Sequence, residues 1–433
     1  MMDRTFFETA IREFAQAEVG SAATPIHAAE MGDEQRAHDE LIRAYKRLAA
    51  QPSLFSGDEG SVFTYEDPIL ASAVLWGRLG CELEEQIGAA VSPGYELRNA
   101  NVFGWALTGV QAWLSRGDRA FATLGGRTPT DPITLDEPSL RIAVIGDAGY
   151  RGGPQTKVIQ LMLKLHRQCP FHLVIHLGDV YFAGGDAAML EHFLAPFGPL
   201  RTEGARVLTL CGNHDLYYGA EGYSHALDAL GQPGRYFLIE TPHWRIACLD
   251  TALGAERILR NDGKLDDGQL NWLKRTLDAT DKRPLLLMSH HFIVSGWDAP
   301  AESLDDQLRD LIGNRVFAWY WGHEHRSATY DRSDHGFYGA CVGNGAFLER
   351  WSQPQRVPKP TWYAENRCKC FRRKPDIFWP HGFLELQLDA NRIVERFHLE
   401  GGKTHTRVLP GPGQTRADTH GRQSIRAAIS ASG

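Results

Sequence analysis

The chain of 433 residues is 43% hydrophobic and 23% charged, with a formal net charge of −7. It is too long for one ordinary hydrophobic core, so we expect one large domain with an additional module. The negative charge argues against a protein whose surface as a whole binds nucleic acid, although it is compatible with a local basic patch. No run of about 18 apolar residues is present, so no membrane-spanning helix is expected.

The first residues and the cysteines bear on the cellular compartment. Residues 1–14 lack the apolar core and small-residue cleavage site of a signal peptide. Four of the seven cysteines lie in or beside apolar runs, while Cys368 and Cys370 form a C-x-C pair with no second pair at a metal-binding spacing. We therefore expect a reduced, cytoplasmic protein.

Residues 1–135 are predicted to form an all-helical module of unknown role. Apolar residues at spacings of three and four, beginning at Phe6, indicate amphipathic helices there. The segment 125–138 is rich in Gly, Pro, Thr and Asp, which is typical of a linker. We place the second domain at 136–410, followed by a Gly-, Arg- and Ser-rich tail, 411–433, that is expected to be flexible.

Beyond the linker, short apolar runs alternate with amphipathic segments. Residues 140–145 and 171–177 are strand-like, and the segment between them, 155–167, has apolar residues on one helical face. Strand-like runs become more frequent in the second half, including a hairpin over 235–249. This pattern predicts an α/β fold in which two mixed β-sheets pack face to face and are flanked by helices.

Five of the strand-like runs end in residues that bind metals or transfer protons. A glycine in most of these ends lets the chain turn sharply. Carboxylate, amide and imidazole ligands together suit Mn, Fe or Zn, and the lack of thiolate argues against a structural zinc site. One such end would be unremarkable, whereas five in series indicate a shared site. The five ends are Gly146-Asp147, Gly178-Asp179, Gly212-Asn213-His214-Asp215, Ser289-His290-His291 and Gly322-His323-Glu324-His325.

This series resembles the calcineurin-like metallophosphoesterase superfamily, which includes purple acid phosphatases, cyclic-nucleotide phosphodiesterases and a group of nucleases. The resemblance covers residues 141–399, and the segment from Leu249 to Leu273 is similar to the family's region between its third and fourth motifs. It implies a hydrolase that cleaves phosphate esters with two metal ions. The choice between monoesters and diesters stays open, because both reactions use the same ligands.

The resemblance also implies a role for each strand-end residue. Asp179 would bridge the two metal ions. His290 is favoured over His291 because it directly follows the strand and its serine, and strand alternation would turn His291 to the other face. The implied ligands are Asp147, Asp179 and His325 for the first ion and Asp179, Asn213, His290 and His323 for the second.

His214 is implied to be a catalytic residue rather than a ligand. In the family this histidine faces the substrate, and Asp215 would hold its ring and favour its charged form. Two metal ions about 4 Å apart would clamp the phosphate oxygens and lower the pKa of a bound water, whose hydroxide attacks phosphorus. His214 would then donate a proton to the leaving group.

The first strand end departs from the pattern of many family members. They carry Asp-x-His, whose histidine also binds the first metal ion, whereas this chain reads Asp147-Ala148-Gly149. Purple acid phosphatases share Asp-x-Gly and supply a tyrosine three residues after the bridging aspartate, a position that is Phe182 here. Tyr181 and Tyr150 are the candidate replacements, and the metal preference stays open.

Further residues are candidate substrate contacts. Tyr217 and Tyr218 follow the third strand end, and Arg151 follows the first. The segment 350–375 mixes basic and aromatic residues with proline. Such a composition suits a flap that attracts anionic substrates, a nucleic-acid contact or a solvated surface insertion.

The leading hypothesis is therefore a cytoplasmic two-metal phosphohydrolase that acts on a small phosphate ester. A scaffold or binding protein that keeps the fold without turnover is the alternative, because the first metal site lacks one ligand. A nuclease is a third hypothesis, which the net charge of −7 does not favour. The sequence does not decide the oligomeric state or the role of residues 1–135.

Overall fold

The computed structural model covers most of the second domain. Most of the predicted helical module, and the predicted tail beyond residue 411, lie outside the described residues. The described residues are 124, 126–129, 131–149, 153–180, 184–216, 220–232, 234–255, 263–278, 280–332, 336–347, 351–365 and 379–411.

A six-stranded sheet combines the first strands of the domain with its last ones. It contains β2 (Leu140–Ile145), β3 (Leu173–His176), β4 (Arg206–Thr209), β12 (Gly382–Asp389), β13 (Arg392–Leu399) and β14 (Thr404–Pro410). The strand order is β14-β13-β12-β2-β3-β4. Strands β2, β3 and β4 are parallel, whereas β12 is antiparallel to both β2 and β13. The carboxyl ends of the parallel strands therefore meet at one edge.

An eight-stranded sheet is formed by the middle of the domain and one strand that precedes it. It contains β1 (Ile133–Thr134), β5 (Phe237–Glu240), β6 (Arg245–Cys248), β7 (Leu285–Ser289), β8 (Val316–Trp321), β9 (Ser327–Tyr330), β10 (Tyr338–Val342) and β11 (Trp362–Tyr363). Its order is β1-β5-β6-β7-β8-β10-β9-β11. Strands β6, β7, β8 and β10 are parallel, so their carboxyl ends also share one edge.

Helices cover the outer face of each sheet. They are α1 (Gly153–Gln168), α2 (Asp186–Ala188), α3 (Ala195–Thr202), α4 (Glu221–Leu230), α5 (Asp267–Asp278) and α6 (Glu302–Ile312), with a π-helical segment, Met189–Leu194, between α2 and α3. None of the helices in the described part of the chain has the length and apolar character that a bilayer crossing requires.

The alternation of side chains along β2 shows how the layers pack. Ile142 and Val144 belong to the core between the two sheets, whereas Ala143 and Ile145 belong to the core beneath the helices. A third core lies between the other face of the eight-stranded sheet and helices α5 and α6, as Leu273 and Leu304 show. This arrangement confirms the predicted α/β fold of two packed mixed sheets flanked by helices.

Two edge strands lie where the sequence predicted irregular segments. β1 falls in the predicted linker and pairs with β5, so the sheet begins before residue 136. β11 falls in the predicted insertion 350–375 and pairs with β9. Both are two-residue strands. Such short strands have no readable periodicity, and their pairing depends on partners distant in the chain.

Candidate metal centre

Four residues at the strand ends adopt left-handed backbone conformations. Their φ angles are +57° at Asp147, +71° at Asp179, +69° at His323 and +52° at His325, and no other non-glycine residue in the described ranges has a positive φ. This conformation is uncommon for residues with a side chain and costs roughly 1–3 kcal/mol at each position. All four are predicted metal ligands, so the strain is concentrated at the predicted site.

The predicted ligands of the second metal ion converge on one nitrogen atom. His290 Nε2 lies 3.0 Å from Asn213 Oδ1, 3.0 Å from His323 Nδ1 and 3.3 Å from Asp179 Oδ1. The other ring nitrogen, Nδ1, lies 3.0 Å from the carbonyl oxygen of Leu177, to which it can donate. That hydrogen bond leaves Nε2 available as a metal ligand, which is the usual arrangement for a metal-binding histidine.

The predicted ligands of the first metal ion form a second group. Asp147, Asp179 and His325 each offer a ligand atom, and these atoms lie within 4.8 Å of one another. His325 Nε2 is 3.3 Å from Asp147 Oδ1, and the backbone N–H of His323 donates to Asp147 Oδ2 at 2.7 Å. All three ligand residues are buried. Asp179 therefore lies close to both groups.

Gly212 allows the Asp179 carboxylate to approach the next strand end. A Cβ atom at Gly212 would lie 2.1 Å from Asp179 Oδ1 and 2.5 Å from its backbone nitrogen. The backbone N–H of His214 donates to the same Oδ1 at 3.0 Å. A side chain at position 212 would displace the carboxylate from this position.

Opposite charges balance one another inside the centre. Burial alone would raise the pKa of Asp179, but the charges of His290 and His214 hold it well below its ordinary range. Burial likewise opposes the charged form of His290, yet the carboxylates of Asp179 and Asp147 raise its pKa to about 9. A cation is thus electrostatically favoured beside Asp179.

The donor set fits divalent or trivalent metal ions. Buried carboxylate, amide and imidazole groups point at one another across distances of about 3 Å, which is unfavourable unless a proton or a metal ion lies between them. Mixed oxygen and nitrogen ligands without thiolate suit Mn, Fe or Zn.

Comparisons with known proteins bear on this geometry. Residues 140–327 match the family model described as calcineurin-like phosphoesterase. These residues form a calcineurin-like phosphoesterase domain. The match begins with β2 and ends just after Gly322-His323-Glu324-His325, so it spans all five strand ends.

Two curated relatives match part of the phosphoesterase domain. Both are described as 3',5'-cyclic adenosine monophosphate phosphodiesterase CpdA. The one from Pseudomonas aeruginosa is 31% identical over 167 residues, 37% of this chain and 56% of the relative. The one from Escherichia coli (strain K12) is 33% identical over 131 residues, 30% of this chain and 43% of the relative. The chain thus spans about half the length of these relatives.

Two solved structures are similar to the chain at low sequence identity. GAP50, described as the anchor in the inner membrane complex of Plasmodium, has a TM-score of 0.49 and 16% identity, covering 64% of this chain and 91% of that one. A dimetal phosphatase from Danio rerio has a TM-score of 0.46 and 15% identity, and the match covers 64% of this chain and 100% of that one.

Asp215 has a different role in the phosphoesterase domain from the predicted one. Its carboxylate accepts backbone N–H groups from Gly212 at 2.6 Å, Val180 at 2.7 Å and Asp179 at 3.0 Å. The expectation that Asp215 holds the His214 ring is therefore corrected: the carboxylate joins two strand ends through their backbones. Burial and the charge of Asp179 raise the pKa of Asp215 to about 7, although the backbone hydrogen bonds act in the opposite direction.

His291 also differs from the expectation. Its ring centroid lies 4.9 Å from that of His290 and 4.7 Å from that of His323, so it faces the centre rather than the other side of the sheet. The alternation argument was wrong because β7 ends at Ser289, and the chain beyond it no longer has strand geometry. Burial, together with the neighbouring His290, lowers the pKa of His291 well below its ordinary value.

Glu324 is a buried residue to which the sequence assigned no role. Its carboxylate accepts the indole N–H of Trp321 at 2.9 Å and the hydroxyl of Ser295. Burial, followed by the charge of Asp298, raises the pKa of Glu324 to about 7. Glu324 therefore anchors the loop that carries His323 and His325. Its position between the predicted ligands His323 and His325 was the sequence feature that could have identified it as a residue of the site.

Several predicted site residues lie outside the described part of the chain. They include both tyrosines proposed to complete the first metal site and the candidate substrate contacts. These residues are Tyr150, Arg151, Tyr181, Tyr217 and Tyr218.

Proposed function

We propose that this chain hydrolyses phosphate esters at a centre of two metal ions. The observation that carries the proposal is the position of Asp179, whose carboxylate lies within reach of both ligand groups. The calcineurin-like phosphoesterase domain supports this reaction class. Because the curated relatives are described as cyclic-AMP phosphodiesterases, we propose a small phosphodiester as the preferred substrate.

The predicted ligands would be divided between the two metal ions. Asp147, Asp179 and His325 would hold one ion, and the second would be held by Asp179 together with Asn213, His290 and His323. When bound, Mn, Fe or Zn ions would neutralise phosphate charge and lower the pKa of the water that attacks phosphorus. The Leu177 carbonyl keeps the proton of His290 on Nδ1, away from the ion.

His214 would assist departure of the leaving group. Its backbone N–H is tied to Asp179, which fixes the residue next to the centre while its side chain extends from the 3₁₀ turn His214–Leu216. We propose that its ring donates a proton to the leaving oxygen, as the resemblance implies.

Hydrolysis assays on metal-stripped protein test the proposal. The substrates are p-nitrophenyl phosphate, bis-p-nitrophenyl phosphate and cyclic AMP, each titrated with Mn, Zn, Fe, Co and Ni. We expect turnover that a particular ion restores, that favours the diesters and that is lost in Asp179→Asn. Asp278→Asn is the matched control, because its side chain is 70% exposed and lies on α5.

Two results would contradict the proposal. Turnover that persists in Asp179→Asn would place the chemistry elsewhere. A folded protein that binds metal ions but hydrolyses none of the three substrates would favour the scaffold hypothesis instead.

A further inference from the structure

His291 is a buried imidazole beside the centre that the ligand assignment leaves without a role. His291 is 1% exposed, and one of its ring nitrogens lies within 4.8 Å of nitrogens of His290 and His323. Thr251 and Gly263 pack against the inner part of the ring, since a Cβ at Gly263 would lie 2.4 Å from His291 Cβ and 3.2 Å from Nδ1. Nε2 is left at the far edge of the ring.

The contact with Thr251 favours a tautomer of His291 in which Nε2 carries the proton. Thr251 Oγ1 accepts the backbone N–H of His291 at 3.0 Å and lies 2.9 Å from its Nδ1. The hydroxyl proton of Thr251 needs an acceptor, and Nδ1 is the one that the described residues place within reach. A neutral ring that accepts at Nδ1 carries its proton on Nε2, and a charged ring carries one there as well.

This donor is buried without a partner. Among the described residues, none accepts a hydrogen bond from His291 Nε2. A buried polar group without a hydrogen bond is costly, and native proteins keep few of them. A ligand oxygen that reaches the centre would satisfy this group.

We propose that the Nε2–H of His291 donates a hydrogen bond to a phosphate oxygen at this centre. His291 is then a phosphate-binding residue in addition to the predicted metal ligands, and the assignment rests on the proposed function for the identity of its ligand. The tautomer set by Thr251 makes Nε2 a donor and therefore unsuited to binding a metal ion. His290 has the opposite arrangement, with its proton directed to Leu177.

Two substitutions separate this role from a structural one. In His291→Gln the side-chain amide nitrogen can reach the position of Nε2, whereas in His291→Asn the shorter side chain reaches only the position of Nδ1. The probe is inorganic phosphate, titrated into protein loaded with the metal ion that it retains best. Metal content is measured on the same samples. His166→Gln is the control. His166 is a buried residue of α1, and its ring hydrogen-bonds to the backbones of Phe171 and Glu203.

We expect all variants to retain the wild-type metal content. Phosphate affinity should fall about ten- to a hundredfold in His291→Asn, as for loss of one hydrogen bond to a charged group, and should be largely retained in His291→Gln. Equal phosphate affinity in wild type, His291→Gln and His291→Asn would overturn the proposal. Loss of a metal ion in His291→Asn would also overturn it, because His291 would then be a ligand.

The same experiment distinguishes this proposal from the proposed function. Phosphate binding that depends on His291, in a protein that hydrolyses no ester, would overturn the hydrolytic function alone. Ester hydrolysis by a protein whose phosphate affinity does not depend on His291 would overturn the role of His291 alone. Metal-loaded wild-type protein that binds no phosphate would overturn the His291 proposal.

Discussion

Asp215 shows how one buried side chain can hold two strand ends together. Its two oxygens accept three backbone N–H groups, one from its own strand end and two from the end that carries Asp179. The Asp179 carboxylate, a predicted ligand, is therefore positioned through the backbone of its residue as well as by its own contacts.

The first prediction concerns Asp215→Asn. An amide offers one oxygen and turns an N–H toward backbone donors, so at least one backbone N–H loses its acceptor. Each such loss costs about 1–3 kcal/mol in the free energy of unfolding, which urea denaturation measures. Asp278→Asn on the protein surface is the control and should change stability little. An unchanged unfolding free energy in Asp215→Asn would refute this role.

The second prediction concerns His214→Ala. Removal of a proton donor should lower kcat about a hundredfold or more, while both metal ions stay bound. Turnover of an activated ester such as bis-p-nitrophenyl phosphate should suffer less than that of an ester with a poor leaving group, because the latter needs the proton more. Loss of a metal ion in this variant would instead make His214 a ligand.

At the scale of the elements, Glu385 on β12 connects three strands of the six-stranded sheet. Its carboxylate accepts from Arg141 on β2 at 3.0 Å and from Arg396 on β13 at 3.0 Å, and it contacts His398 on β13 at 2.8 Å. Burial would raise the pKa of Glu385, but the hydrogen bonds from His398 and Arg141 lower it to about 2. The antiparallel half of the sheet is thereby joined to the strand that ends at Asp147.

The third prediction follows from the pKa of Glu385. Because the folded state lowers this pKa from its ordinary value of 4.5 to about 2, the carboxylate stabilises the fold above pH 4.5. This contribution is lost as pH falls from 4.5 through about 2. Glu385→Gln should therefore be less stable than wild type at pH 7, and the difference should shrink across that window. Urea denaturation at several pH values measures it, and Glu365→Gln, at an exposed position, should show no such trend.

At the scale of the whole molecule, the centre lies where the two sheets meet. Asp147, Asp179 and Asn213 follow strands of the six-stranded sheet, and His290 follows a strand of the eight-stranded sheet. The backbone N–H of Gly146 donates to the carbonyl of Val342 at 2.9 Å, so the sheets are also joined directly at this edge. A metal ion held by residues of both sheets would add a further connection.

The fourth prediction concerns removal of metal ions. A chelator should lower the melting temperature, since ions that bind the folded state alone stabilise it by about 2.7 kcal/mol at a hundred times their Kd. Calorimetry before and after metal is restored measures the difference. Asp179→Asn should lose most of this metal-dependent difference, and an equal difference in wild type and variant would place the stabilising ions elsewhere.

The fold class and the residues at the strand ends could be predicted from the sequence, and the family resemblance implied which of those residues bind each metal ion. Each proposed ligand follows an apolar run within a few residues, and hydrophobic periodicity with glycine at the turns is a local signal. Neighbouring parallel strands have their carboxyl ends at the same edge of a sheet, so predicting parallel strands is enough to predict that these ends meet. The strand ends could therefore be proposed as one site before any distance was known.

The orientations of the side chains at that edge depend on contacts that form only when distant segments of the chain come together. His290 is oriented by a carbonyl 113 residues away, and Asp147 accepts from a backbone N–H 176 residues away. The partner of Asp215 and the orientation of His291 were predicted differently from sequence because they too depend on contacts with other strand ends. Periodicity stops where a strand stops, and beyond that point packing against distant segments sets each orientation.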